Sequence, residues 1–239
     1  MTIRLVQTFI LAMGLVACGR GSPPSDPPVI SPQDFVLMPC RSADAARPCA
    51  LIVAGGKRVL FGVPSGAAVS LGSEDLRQLD AVIVFSLRAP DLEGLDEIRN
   101  ASWRAGRDVP LLTIGPRGIL DVVDGLNKAY EQADALRVVE EGIPRGGYDA
   151  AILTGREASD VQVVFDTGDV QITRLGNGYR IEYDRKALID LWSCDGGRSG
   201  AAVPDEDMLA LSVSCDGAAP DLAWPLRQTH FVLRHQISE

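Results

Sequence analysis

The loop after the apolar segment DAVIVF, residues 80–85, carries the side chains of greatest chemical interest. A serine, an arginine and an aspartate follow in close succession: Ser86, Arg88 and Asp91. A carboxylate on a strand-end loop can join a metal site that activates water, but such a site also needs imidazole ligands or further carboxylates. Serine is a poor zinc ligand, and the fixed charge of arginine repels a metal ion. A lone Asp91 therefore cannot hold a metal ion on this loop.

Histidine is scarce, which limits other catalytic schemes. The chain has two histidines, His230 and His235, and their odd separation in a strand points them to opposite faces, where they cannot easily share one metal ion. Ser65 and Ser193 lack a histidine at any position from which it could be expected to act as their base. We therefore assign no catalytic residue, and ordinary polar roles fit these four side chains better.

Two arginines could contact an anion. Arg117 lies in the turn GPRG before a predicted helix, where free backbone N–H groups and the helix dipole can bind a negative group. The plainer interpretation is a strand-to-helix turn with proline at the helix start. Arg88 and Arg117 are thus the candidate contacts of a weak anion site, and solvated surface arginines are the alternative.

Alternating strand and helix patterns must position these residues. The segment CALIVAGGKRVLFGVP predicts a β-hairpin around Gly-Gly-Lys, and DAVIVF and VPLLTIG predict buried strands. Residues 115–134 keep the 3.6-residue period of a helix. Residues 161–192 contain strand runs separated by turns, and THFVLRHQI predicts a last strand. The pattern predicts an α/β fold with sheets and helices packed outside them.

The N-terminal segment predicts export. Residues 1–17 have one cation and an apolar run too short to span a bilayer, which is typical of a signal peptide. The sequence LVAC resembles a lipoprotein processing box, so we expect Cys18 to carry the lipid; an ordinary signal with a chance cysteine is the alternative. Residues 18–34 are rich in proline and predict a tether. Residues 35–239 then form one domain.

Composition and cysteine content bear on the possible partners and on disulfide formation. The net charge is −9 with a pI near 4.8, and no cluster of lysine and arginine favours a nucleic-acid partner. Four cysteines remain after the lipid site: Cys40, Cys49, Cys194 and Cys215. Three pairings are open. Local closure favours disulfides 40–49 and 194–215 over a four-cysteine metal site, which usually needs close CxxC pairs.

The order of these pieces resembles the metallo-β-lactamase superfamily, in particular its ribonuclease Z-like and arylsulfatase-like branch. The resembling pieces are GGKRVLF, DAVIVFSLRAPDLEGL, WRAGRDVPLLTIGPRGILDVVDGLNKAY and GYRIEYDRKALI. The resemblance implies an αββα sandwich of two mixed sheets with helices outside, here with a shortened C-terminal half. It also implies a metal-dependent hydrolase as the ancestral activity.

The ligand positions of that family are changed in this chain. The family motif is Thr-His-x-His-x-Asp-His before a Gly-Leu helix start. Counted back from residues 94–95, its ligand positions hold other residue types: Ser86, Arg88, Pro90 and Asp91. The resemblance thus implies a retained scaffold whose metal site has degenerated.

The later ligand positions of the family also lack ligand residues in this chain. Gly62 stands where the acid after the opening hairpin would lie, and no histidine precedes the hairpin GYR. Asp190 and Asp195 are the carboxylates nearest to the last acid position, and neither is in register with it. An active site would have to draw on these two aspartates, Asp91 and one histidine.

We therefore expect a non-catalytic binding or assembly module without cofactor, lipid-anchored on the periplasmic face of a bacterial outer membrane. Its partner would be an envelope protein or a small anionic ligand, and a homodimer also stays open. The alternatives are a metal-dependent hydrolase with a remodelled site, acting on phosphodiesters or sulfate esters, and a purely structural envelope lipoprotein.

Overall fold

Two β-sheets pack face to face, and helices cover the outer face of the first sheet. The computed structural model describes residues 30–31, 33–40, 47–196, 208–216 and 222–233. The strands, in chain order, are β1 Phe35–Pro39, β2 Ala50–Ala54, β3 Lys57–Phe61, β4 Ala81–Ile83, β5 Leu111–Gly115, β6 Leu153–Glu157, β7 Val161–Asp166, β8 Val170–Leu175, β9 Gly178–Tyr183, β10 Ala187–Trp192, β11 Leu209–Ser214, β12 Leu222–Ala223 and β13 Phe231–Leu233. The helices are α1 Ser73–Arg77, α2 Ala89–Leu92, α3 Leu95–Arg104 and α4 Ile119–Glu141, with 3₁₀ turns at Ala67–Ser70 and Asp149–Ala151.

The first sheet has the order β13-β1-β2-β3-β4-β5-β6. Strands β3 to β6 run parallel to one another, and β13, β1, β2 and β3 pair antiparallel. Parallel neighbours need crossover connections, and these connections contain α1 between β3 and β4, α2 and α3 between β4 and β5, and α4 between β5 and β6. The parallel half thus brings the ends of β4 and β5 to one edge of the sheet.

The second sheet has the order β12-β11-β10-β9-β8-β7. Strands β7 to β10 form the hairpins that the sequence predicts, and β10, β11 and β12 pair parallel. The turn between β9 and β10 places Asp184 and Arg185 at positive φ, 50° and 54°. The Lys186 N–H donates to the Tyr183 carbonyl at 3.1 Å and closes this turn, and Ala187 then pairs with Tyr183.

The opening hairpin, β2 and β3, also turns on two residues at positive φ. Gly55 and Gly56 have φ of 54° and 73°, a conformation that glycine adopts without steric cost. Every residue of β2 is buried, because one of its faces contacts the second sheet and the other contacts the helices.

Two apolar cores hold the layers together. One lies between the sheets and includes Phe61, Ile83, Tyr179 and Ile189. The other lies between the first sheet and its helices and includes Leu76, Leu95, Ile98, Ile119 and Val123. In the described ranges no helix contributes to the core that contains the second sheet. The expected α/β sandwich of two mixed sheets is confirmed, and the helices that the structure describes lie on the first-sheet side.

A buried salt bridge joins α3 to α4. The Arg99 guanidinium donates Nη1 to Asp134 Oδ1 at 3.2 Å and Nη2 to Asp134 Oδ2. The side chains are 1% and 3% exposed; we call them the interhelical pair. Arg107 lies alongside, where its Nε donates to Ser102 Oγ at 3.1 Å, and burial together with the charge of Arg99 lowers the pKa of Arg107 to about 10.

The four domain cysteines pair at disulfide distance. Cys40 pairs with Cys49 at a Cα–Cα distance of 5.2 Å, and Cys194 pairs with Cys215 at 5.1 Å. This is the connectivity that local closure favours. The first bridge joins the ends of β1 and β2, and the second joins the ends of the parallel strands β10 and β11.

Several sequence predictions lie outside the described residues. They include the signal segment 1–17, Cys18, most of the tether 18–34 and His235. Among the helices that the structure describes, none has the length and apolar character to cross a membrane.

Candidate functional site

The loop after β4 lies at the edge where the parallel strands of the first sheet end. Val84 continues the strand, because its N–H donates to the Ile114 carbonyl of β5 at 2.9 Å. The chain then turns into α2, which has Pro90 in its first turn, and proline is pre-organised for that position. Gly94 begins α3 and packs so tightly that an added Cβ would lie 2.4 Å from the Pro64 carbonyl oxygen. The Gly-Leu helix start is thus fixed in place.

A buried tyrosine of the second sheet pins this strand end. The Tyr179 hydroxyl donates to the Val84 carbonyl at 3.0 Å, and its ring meets Phe85 and Phe61 edge-on, with centroids 5.5 and 5.8 Å apart. Burial raises the pKa of Tyr179 to about 12, so the hydroxyl stays protonated and remains a donor. The position of Ser86, which follows, therefore depends on contact between the sheets.

Ser86 and Asp91 contact each other across the loop. The Ser86 hydroxyl donates to Asp91 Oδ2 at 2.5 Å, and Ser86 Oγ accepts the Arg88 backbone N–H at 3.1 Å. Asp91 is only 4% exposed. Two of the four residues that the sequence resemblance aligns with ligand positions are thus joined to each other, which leaves one carboxylate oxygen of Asp91 for another partner.

That partner is Arg47, which comes from the disulfide loop between β1 and β2. Arg47 Nη1 lies 3.6 Å from Asp91 Oδ1 and 3.0 Å from Asp195 Oδ2. Arg88 Nη1 lies 2.8 Å from the same Asp195 oxygen. We call Arg47, Ser86, Arg88, Asp91 and Asp195 the strand-end cluster. Its two guanidiniums and two carboxylates balance in charge.

Asp195 is held in the strand-end cluster by its backbone and by its charge. Its N–H donates to Ser193 Oγ at 3.1 Å, and its carbonyl accepts from Asn177 Nδ2 at 3.2 Å. Partial burial acts to raise the pKa of the Asp195 carboxyl. Hydrogen bonds from Arg47 and Arg88 outweigh that effect, so this pKa lies below its ordinary value.

The other candidate carboxylate, Asp190, is elsewhere. It accepts both forks of Arg180, Nε at 2.9 Å and Nη2 at 2.8 Å. Its neighbours in β10, Ile189 and Leu191, belong to the core between the sheets, so the alternation of a strand places Asp190 on the outer face of the second sheet. The structure therefore does not bring Asp190 to the strand-end cluster.

The described histidine is also distant from the strand-end cluster. His230 directly precedes β13, which stands four strand positions from β4 in the first sheet, or roughly 19 Å at about 4.8 Å per spacing. Its ring Nδ1 contacts Thr229 Oγ1 at 3.0 Å. Ser193 is occupied by the Asp195 N–H, and Ser65 is half-buried in the loop before the first 3₁₀ turn.

The two arginines suggested as anion contacts have different surroundings. Arg88 is bound to Asp195, whereas Arg117 is exposed on the turn before α4. At that turn the Gly118 N–H already donates to Glu157 Oε1 at 2.7 Å. At both candidate anion positions a carboxylate of the chain itself is therefore already bound: Asp195 at Arg88, and Glu157 at the turn that contains Arg117.

Arg47 is the contact that the sequence did not reveal. It is separated from Asp195 by 148 positions, and neither hydrophobic period nor any motif marks it. The only feature of the sequence that bears on Arg47 is its position two residues before Cys49. Asp195 was considered only as a misplaced ligand, whereas the structure makes it the partner of two arginines.

Solved structures similar to this chain include a diphosphatase, a metallo-β-lactamase fold protein and a tRNase Z. A diphosphatase of the PhnP family is 11% identical with a TM-score of 0.50, over 85% of this chain and 99% of that one. The metallo-β-lactamase fold protein YhfI of Bacillus subtilis is 14% identical with a TM-score of 0.49, over 76% and 70%. Human tRNase Z, short form, is 12% identical with a TM-score of 0.49, over 70% and 71%.

No protein-family model and no curated protein matches the sequence. At identities this low, a structural likeness shows the fold alone, and the two likenesses with TM-scores below 0.5 add no weight. The two mixed sheets, the external helices and the likeness to the diphosphatase give the chain the metallo-β-lactamase fold.

The residues present do not fit the metal that this fold implies. Within the part of the chain that the structure describes, no three His, Cys, Asp or Glu side chains gather where they could hold a metal ion. Asp91 and Asp195 are both bound to arginine, and Arg47 lies between them. Gly62 cannot supply a ligand, and an added Cβ there would lie 2.0 Å from the Pro48 carbonyl oxygen.

Proposed function

We propose that this protein is a non-catalytic member of the metallo-β-lactamase fold that acts as a binding or assembly module in the cell envelope. It is held through a lipid on Cys18 to the periplasmic face of the outer membrane. The strand-end cluster and the surface around it form the binding region. The observation that carries the proposal is the ion-pair network at the former ligand positions.

The chemistry of that network supports a loss of metal binding. Zinc in a catalytic site needs three protein ligands with free lone pairs. Asp91 gives its oxygens to Ser86 and Arg47, and Asp195 gives one oxygen to two guanidiniums. Releasing these groups to a metal would leave the arginines beside it.

The electrostatic cost of that arrangement is large. A divalent ion about 4 Å from one guanidinium would be repelled by about 8 kcal/mol at an effective dielectric near 20. Arg88 is partly solvated, since its side chain is 63% exposed, and can turn away. Arg47 is 21% exposed and faces both carboxylates, so it opposes a metal more strongly.

The experiment uses the chain from residue 19 on, which retains every described residue. The purified protein is incubated with Zn²⁺ or Mn²⁺, its metal content is measured, and hydrolysis of phosphodiester, sulfate-ester and lactone substrates is followed with and without chelator. We expect neither stoichiometric metal nor chelator-sensitive turnover. Near-stoichiometric zinc that the substitution Asp91→Asn abolishes would contradict the proposal.

A second arm addresses the binding role and the anchor. The full chain, expressed with its signal, is cross-linked in membranes, and Arg47→Gln with Arg88→Gln is compared with Arg77→Gln, which alters a surface helix pair. We expect one partner that the first variant loses and the second retains. A structural lipoprotein would show no such loss. Cys18→Ser should release the protein from the membrane fraction.

A further inference from the structure

We infer that the strand-end cluster is an anion site closed by the chain's own Asp195, and that a phosphate-bearing ligand opens it by displacing that carboxylate. The inference rests on the proposed function and names the ligand class of the same region. Its evidence is the convergence of two guanidiniums on one carboxylate oxygen.

The convergence involves separate parts of the chain. Arg47 belongs to the disulfide loop before β2, Arg88 to the loop after β4, and Asp195 follows β10 in the other sheet. The two Nη1 atoms lie 3.0 and 2.8 Å from the single oxygen Oδ2 of Asp195. Guanidinium forks match the oxygens of phosphate and carboxylate groups. Asp195 therefore occupies the place that an anionic ligand would take.

Arg88 is the most exposed side chain of the strand-end cluster. The exposed fractions of the side chains are 63% for Arg88, 29% for Asp195, 21% for Arg47 and 4% for Asp91. An incoming anion can thus reach Arg88 and Asp195 from solvent more easily than it can reach Arg47. Asp91 remains beneath them, bound to Ser86.

Displacement needs only a side-chain rotation. Apart from its ion pairs, Asp195 is held through its backbone: the N–H donates to Ser193 Oγ, and the carbonyl accepts from Asn177 Nδ2. Rotation of the Asp195 side chain leaves both backbone bonds intact. The carboxylate can therefore leave the arginines while the loop stays in place.

Charge favours a phosphate over a carboxylate ligand. With Asp195 turned away, Arg47 and Arg88 lose the carboxylate oxygen that they share. A carboxylate would only repeat the pairing that Asp195 already gives. A phosphate monoester, which carries more negative charge and more acceptor oxygens, can bind both forks and compete with Asp195.

The test measures binding of inorganic phosphate by calorimetry at constant ionic strength, with the chain from residue 19 on. Asp195→Asn removes the competing charge and should lower the Kd for phosphate about tenfold or more. Adding Arg47→Gln to Asp195→Asn should abolish that gain. Equal Kd values for the parent and Asp195→Asn would overturn the inference.

The matched control is Asp75→Asn. Asp75 accepts from Arg58 Nε at 3.0 Å, and the two side chains are 27% and 20% exposed, close to the values for Asp195 and Arg47. This variant also removes the charged partner of a guanidinium of similar burial, but Arg58 keeps its hydrogen bond to Gln78 and shares no carboxylate with a second arginine. It should bind phosphate no better than the parent, and an equal gain would reduce the effect to non-specific attraction.

Phenyl phosphate and acetate separate the ligand classes. Phenyl phosphate should bind Asp195→Asn at least as well as inorganic phosphate, and acetate should bind at least tenfold more weakly. Acetate as strong as phosphate would overturn the assignment to phosphate esters.

A second measurement needs no substitution and covers the case in which Asp195→Asn does not fold. The parent protein is modified with phenylglyoxal, and modified arginines are mapped by mass spectrometry. Phosphate should protect Arg47 and Arg88 but leave Arg58 unchanged, and equal modification with and without phosphate would refute the site. The two proposals fail on different results. Turnover that a chelator abolishes would refute the proposed function. If a partner is still captured by cross-linking but phosphate does not bind, only this inference is refuted.

Discussion

The strand-end cluster and the interhelical pair use the same side chains in different surroundings. In the interhelical pair, Arg99 and Asp134 are almost fully buried and form a two-pronged bridge between helices. In the strand-end cluster, Arg88 and Asp195 are partly solvated, and two guanidiniums share one oxygen. The first arrangement cannot change without leaving a buried charge. In the second, solvent can replace a lost partner, and in our proposal this access separates a structural ion pair from one suited to binding.

The largest expected effect is on the interhelical pair. Asp134→Asn should lower the free energy of unfolding by about 3–5 kcal/mol, because it leaves the Arg99 charge buried without its carboxylate. Urea denaturation measures the change. Glu131→Gln, on the same helix in the exposed pair with Lys128, is the control and should cost less than about 0.5 kcal/mol. A similar small loss for Asp134→Asn would contradict this comparison.

Asp91→Asn should have an intermediate effect, a loss of about 1–3 kcal/mol in the free energy of unfolding. The amide keeps the shape of the carboxylate but weakens the charged hydrogen bond with Ser86, and Arg47 still has Asp195. The same urea experiment with Asp75→Asn, in a more exposed pair, should give about 0–1 kcal/mol. If Asp91→Asn cost as much as Asp134→Asn, the strand-end cluster would be as rigid as the interhelical pair.

The smallest effect concerns the pH dependence of Asp195. Because its folded-state pKa is depressed, its charge stabilises the protein above the unfolded-state pKa, near about 3.9, and that contribution disappears as the pH falls through the lower folded-state pKa. The melting temperature of Asp195→Asn should therefore be slightly lower than that of the parent between about pH 5 and 7, with convergence in more acidic buffer. A difference that persisted in acid would show that the charge is not responsible.

Local patterns predicted most of the elements that carry the site. Apolar runs and the glycine pair at 55–56 indicate the opening hairpin, and the helical period indicates α4. The strand in DAVIVF is shorter than the sequence predicts, because β4 ends at Ile83. The Val84 N–H nevertheless donates to the Ile114 carbonyl of β5. Tertiary contacts on both faces of the strand sustain that extension.

The site itself was only half predictable. Counting back from the Gly-Leu helix start located Ser86, Arg88 and Asp91, since spacing along one loop is a property of the sequence. The role of Arg47 was not predictable, because its contact with Asp195 spans both sheets and depends on the complete topology. Nor does sequence reveal that Asp190 points away from the loop, because that depends on which face of β10 meets the core.

The two disulfides have a consequence for how the strand-end cluster closes. Arg47 lies two residues before Cys49, and Asp195 directly follows Cys194, so each member of the closing ion pair has a covalent restraint beside it. Breaking either bond with a reductant gives that segment more conformations, and a looser segment holds its charge in place less of the time. The thiol–disulfide balance around the protein thereby becomes a control on how often Arg47 and Asp195 meet.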